Sequence, residues 1–76
     1  MKLYNPDQVQ ALKAALGRCR SSVWIESVSG ERIELGDPRT RERGIERLLR
    51  DDSDEMELFA LEYADFVTLA HCLAIA

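Results

Sequence analysis

Apolar and polar positions recur along the chain with two different periods, and the places where the period changes mark its elements. Val9, Leu12, Leu16 and Cys19 share one face at about 100° per residue, the spacing of a helix. That helix starts at Asn5, a good N-cap. Pro6 fits the first helical position and Asp7 lies near the positive end of the helix dipole. Gly17 weakens or ends it. Ahead of it, Leu3 and Tyr4 read as a short first edge strand. Cys19, on the apolar face, reads as a small buried hydrophobe and not as a reactive thiol.

The period then falls to two. In "SSVWIESVSGERIEL", Val23 and Ile25 alternate with Trp24 and Glu26, and Ile33 and Leu35 alternate with Arg32 and Glu34. Ser29-Gly30 lies near the reversal, so the stretch predicts a hairpin. "GDPRTRERGIERLLRDD" predicts a second helix with Asp37 as N-cap and Pro38 next, over a thin apolar stripe of Ile45, Leu48 and Leu49. "EMELFALE" is another strand. "YADFVTLAHCLAIA" is a last helix with Phe66, Val67, Leu69, Ala70 and Leu73 on its inner face. The order (β)αββαβα predicts the α+β class, a two-layer open-faced sandwich. A mostly antiparallel sheet of three or four strands carries three helices on one face. Residues 1–76 read as a single domain.

Composition narrows the function classes. The chain has 76 residues, 46% of them hydrophobic and 32% charged, a globular balance with room for one modest core. A formal net charge of -4 disfavours general affinity for nucleic acid or an anionic membrane surface, both of which need a basic field. No stretch approaches the ~20 apolar residues that cross a bilayer, and no long apolar run follows Lys2, so neither a membrane span nor a signal peptide is expected. Cys19 and Cys72 are too few for a secreted disulfide scaffold and read as reduced thiols of a cytoplasmic protein, the alternative being a single long-range disulfide.

The order of elements resembles the phosphocarrier protein HPr of the sugar phosphotransferase system. "SGERIELGD" is similar to that family's turn glycine, alternating strand and helix cap, and "EMELFALE" and the closing helix follow in the same order. The family places a histidine just before the first helix, followed by Ala-Arg-Pro. The corresponding run here is "KLYNPDQ", in which Pro6 matches the helix-opening proline while the histidine and the arginine are absent. The resemblance therefore implies an HPr-like fold without the family's phosphoryl-accepting group. In some family members the cap of the second helix is a regulatory serine. Here it is Asp37, either a permanently charged version of that site or a simple N-cap. Arg39, Arg41 and Arg43 stand where the family has an apolar partner-docking surface.

The residues offer little catalytic chemistry. Phosphoryl transfer needs a nucleophile facing a helix N-terminus, and Asp7 is the only nearby candidate; its ordinary role is to stabilise the first turn. His71 is the single histidine. It neighbours Cys72 about 100° away around a helix, a poor start for a metal site, and no cofactor is expected. Two surfaces remain as binding candidates. Arg39, Arg43, Arg47 and Arg50 fall in one quadrant of the second helix, partly neutralised by Glu42 and Glu46, and read as a solvated face or as a docking stripe for an acidic segment or phosphate. If Val23, Ile25, Ile33, Leu35, Met56, Leu58 and Ala60 face the helices, then Trp24, Phe59 and Leu61 face outward among charged residues. Such a patch either contacts a partner, including a second copy of the chain, or is covered by the stems of Arg32 and nearby glutamates.

Three functions follow as expectations. The first is a non-catalytic HPr-like interaction or regulatory module that binds a protein partner or itself, as a homodimer for instance. The second is a phosphocarrier using a non-histidine acceptor. The third is a small structural homo-oligomeric subunit unrelated to HPr.

Overall fold

The structure, a computed structural model, describes residues 2–50 and 55–74. The parts of the predicted second and last helices that run into Asp51-Asp52 and Ile75-Ala76 lie outside the described residues. The elements are α1 (Pro6–Leu16), β1 (Val23–Ser27), β2 (Arg32–Glu34), α2 (Pro38–Leu48), β3 (Met56–Ala60) and α3 (Tyr63–Ala74). Among the described residues the sheet has three strands, all antiparallel, in the order β2-β1-β3.

Leu3 and Tyr4 do not form a strand. Leu3 is instead a buried plug whose N–H donates to Leu48 O at 3.0 Å, and Lys2 Nζ donates to Arg50 O at 2.8 Å. The segment thus supplies donors to the Leu48 carbonyl at the end of α2 and to the Arg50 carbonyl just beyond it. Asn5 caps α1 as expected, its Oδ1 accepting from Gln8 N at 2.9 Å, and Gln8 Oε1 accepts in return from Tyr4 N. Asp37 does the same for α2 through Arg39 N, also at 2.9 Å.

One apolar cluster joins the inward strand residues Val23, Ile25, Ile33 and Met56, and Leu35 just past β2, to Leu12, Ala15 and Leu16 of α1, Ile45 and Leu48 of α2, and Leu69 of α3. The three helices therefore share one face of the sheet. Leu49, expected in the α2 stripe, caps the helix end and is exposed. The turn between β1 and β2 holds Gly30 at φ 96°, a left-handed conformation that favours glycine. Gly44 has a different role. A Cβ there would overlap the Leu35 side chain and lie 3.2 Å from Ile33 Cγ2, so its absence lets α2 sit close on β2.

α3 is rotated from its expected setting. Its inward residues are Asp65, Leu69, Cys72 and Leu73, while Phe66, Val67 and Ala70 point out. The cause is Asp65. Its carboxylate accepts from Arg20 N at 3.2 and 3.1 Å, from Ser21 N at 2.7 Å and from the Ser21 hydroxyl. Ser21 Oγ in turn accepts from Glu62 N at 3.2 Å. A buried carboxylate needs such partners, and the α1–β1 link supplies them at only one rotation of α3. These hydrogen bonds, the Ser21 hydroxyl foremost, hold the Asp65 carboxyl below the ordinary carboxylate range.

Two outcomes follow. Gly44→Ala should destabilise the fold by about 1–3 kcal/mol, the range for forcing volume into a filled core; an unchanged urea midpoint would contradict the close packing of α2. Because folding lowers the pKa of Asp65, the stability it adds is complete above the unfolded value of about 3.9 and is lost as pH falls through the lower folded value. Urea midpoints measured from pH 6 downward should therefore fall less steeply for Asp65→Asn than for the wild type over that acid window.

Candidate functional site

The outer face of the sheet is laid out by the strand registers. Trp24 pairs with Glu34 on one side and Phe59 on the other; Glu26 pairs with Arg32 on one side and Glu57 on the other. The first row is thus Glu34, Trp24, Phe59 and the second is Arg32, Glu26, Glu57. Side chains directly opposite on one face of an antiparallel pair lie close enough to interact.

In the first row the rings of Trp24 and Phe59 stack, with centroids 5.9 Å apart and planes 16° apart. Arg32 leans across from the second row. Its guanidinium carbon lies 4.2 Å from the Trp24 ring centroid, and its Nη2 donates to Glu34 Oε1 at 2.9 Å. Trp24 is therefore half-buried between a cation and an aromatic ring, so the patch is covered in part by the chain itself. Phe59, on the edge strand, is 36% exposed.

Arg32 faces Glu26 by register but is engaged elsewhere. Glu26 and Glu57 stand directly opposite one another, and among the described residues neither side chain makes a hydrogen bond or ion pair. Like charges so placed are destabilising. With Glu55 and Phe59 they line a cleft of about 150 Å³.

The other predicted binding residues do not join this face. Leu61 lies past the end of β3, 72% exposed, its N–H bonded to Ser22 O at 2.9 Å. It borders a separate cleft with Arg20, Ser21 and Gly36. On α2, Arg39 is paired with the cap Asp37 at 3.2 Å; the Arg39 backbone N–H foremost, and then its guanidinium, hold the Asp37 carboxyl below its ordinary range. Arg43 lines an open groove of about 500 Å³ with Arg32, Arg50, Glu31 and Glu46. Arg47 also borders it but is only 6% exposed, its Nε donating to Glu31 Oε1 at 3.3 Å. The expected row of solvated arginines is broken there, because the α2 rotation that buries Ile45 and Leu48 also turns Arg47 toward the hairpin.

Two features lay beyond the periodicity. One is the Glu26–Glu57 opposition, which becomes visible once strand parity is joined to the β1–β3 register. The other is the outer face of α3, where Tyr63, Phe66 and Val67 are 79, 39 and 47% exposed. Tyr63 and Phe66 stack with centroids 6.5 Å apart. A helix apolar on both faces is a signal for a second contact.

No helix among the described residues is long and apolar enough to cross a membrane. Comparison with protein-family models, with curated proteins and with solved structures finds no match.

The two thiols differ in environment more than in exposure. Both are half-buried. Cys19 donates to Ala15 O at 3.3 Å, and burial, with the nearby Asp65 carboxylate and Cys72, pushes its pKa up despite Arg18. Cys72 Sγ accepts a hydrogen bond from the Arg18 guanidinium. A thiol reagent at neutral pH should modify Cys72 well before Cys19; equal rates would contradict this.

Proposed function

We propose that the chain is a non-catalytic protein-interaction module of HPr-like arrangement, working in the cytoplasm through the outer face of its sheet. The observation that carries this reading is the Trp24–Phe59 stack on a sheet face that no helix among the described residues covers. Aromatic rings on such a face are the residues most often central to protein contacts. The order of α1, β1, β2, α2, β3 and α3 supports the HPr-like arrangement; the strandless segment before α1 departs from it. Without a histidine at the Asn5-Pro6 junction, the reading assigns no phosphoryl transfer to that helix end.

A second surface has its own support. Tyr63, Phe66 and Val67 form an exposed apolar stripe on α3, turned outward by the Asp65 clamp. It offers the competing contact, for a partner or for a second copy of the chain.

Paired variants separate the two. Trp24→Ala removes the sheet-face ring, and Phe66→Ser breaks the α3 stripe. Sedimentation and capture experiments on folded variants should show association reduced at least several-fold by Trp24→Ala. Association unchanged in Trp24→Ala but lost in Phe66→Ser would move the function to α3.

A further inference from the structure

We infer that the sheet face takes an arginine side chain of a partner protein, seated on Phe59 and held by Glu57 and Glu26. This inference rests on the sheet-face reading and names the partner's chemistry.

The face already holds one guanidinium. Arg32 lies over the Trp24 ring at 4.2 Å and donates from Nε and Nη2 to Glu34, at 3.2 and 2.9 Å. A carboxylate and an aromatic face thus make one filled seat on the β2 side. The β3 side repeats the same elements. Phe59 continues the stack from Trp24 with nearly parallel planes, so one ring face is turned away from Trp24. Glu57 is the neighbouring carboxylate on the same strand face, and Glu26 stands opposite it. The cleft lined by Phe59, Glu57, Glu26 and Glu55 has room for a side-chain head. Among the described residues of this chain, no cation enters it.

Charge selects the occupant. Apart from Arg32, which is engaged by Glu34, the charged groups on this part of the face, among the described residues, are carboxylates, and two of them oppose each other at a pairing position. A cation between them removes a repulsion and gains an attraction in one step. The carboxylates do not come together as a metal-ligand set among the described residues, so a small ion is not the fitting occupant. A guanidinium is planar, stacks on an aromatic ring and presents five donors in a fork that can serve two carboxylates. An ammonium has the charge without the stacking geometry. Phe59 and Glu57 lie on β3, which pairs with β1 alone among the described residues, so an extended segment running beside it can present the arginine.

The chain has a single tryptophan, Trp24, which sits in this stack and reports occupancy by its fluorescence. The probes are acetylated tri-arginine and tri-lysine peptides, titrated at low and at high salt. Tri-arginine should change Trp24 emission saturably, bind at least threefold more tightly than tri-lysine, and weaken at high salt. Glu57→Gln and Glu26→Gln should each weaken it at least fivefold. The same substitutions should raise Tm by roughly 1–5 °C, since they remove the like-charge opposition. Loss of binding together with gain of stability is a pattern that a purely structural role would not give. Absence of a saturable change, equal binding of the two peptides, or affinity unmoved in both glutamate variants would each overturn the arginine seat. If tri-arginine fails while Trp24→Ala still abolishes association of the chain, the sheet face remains the contact and only its partner chemistry falls. If Trp24→Ala leaves association intact, the sheet-face reading itself falls.

Discussion

Everything on the candidate face depends on the pleat of one strand. β1 is hydrogen-bonded on both sides and lies at the centre of the sheet. Its side chains alternate, so burying Val23, Ile25 and Ser27 under the helices forces Trp24 and Glu26 to the other face. A slip of one residue would bury a tryptophan and a glutamate and expose two core residues, a cost no surface contact offsets. The antiparallel register then decides what Trp24 and Glu26 meet: an aromatic ring and a second carboxylate. One of these pairings is favourable and the other is not. The unfavourable one persists on the face that carries the exposed ring, which is where local stability is commonly traded for recognition.

The helical layer is set by polar contacts as much as by apolar ones. The buried Asp65 carboxylate joins the α1–β1 link to the start of α3 and fixes the rotation of that helix. Arg47 joins α2 to the hairpin through Glu31. Both are buried groups with partners, as burial of a charge requires. Their effects on the surface are opposite. Asp65 turns Phe66 and Val67 outward and so creates an apolar stripe; Arg47 withdraws a cation from the solvated side of α2 and so thins a basic one.

How much of this was legible in the sequence depended on the kind of signal. Caps and alternation were local and read correctly: Asn5, Asp37, Gly30 and the parity of β1 and β3 all behave as their neighbours dictate. The α3 face was misread because apolar residues occur all round that helix, so periodicity could not choose a side. The choice lies in Asp65 and its partners at Arg20 and Ser21, more than forty positions away in sequence. Leu3 is not a strand for a related reason: its N–H bonds to the Leu48 carbonyl at the end of α2, a partner far along the chain. Of the candidate site, Trp24 and Phe59 were found by parity and Leu61 was placed one step too far along it. Arg47 was assigned to the surface because a helical wheel knows nothing of Glu31.

The central claim is that partners meet the sheet and not the helices. Backbone amide chemical shifts of the labelled chain, followed on addition of a partner or of tri-arginine, test it most directly. The shifts should move at Trp24, Glu26, Glu57 and Phe59, with the amides of α3 left in place. Movement confined to Tyr63, Phe66, Val67 and Ala70, with β1 and β3 silent, would contradict it.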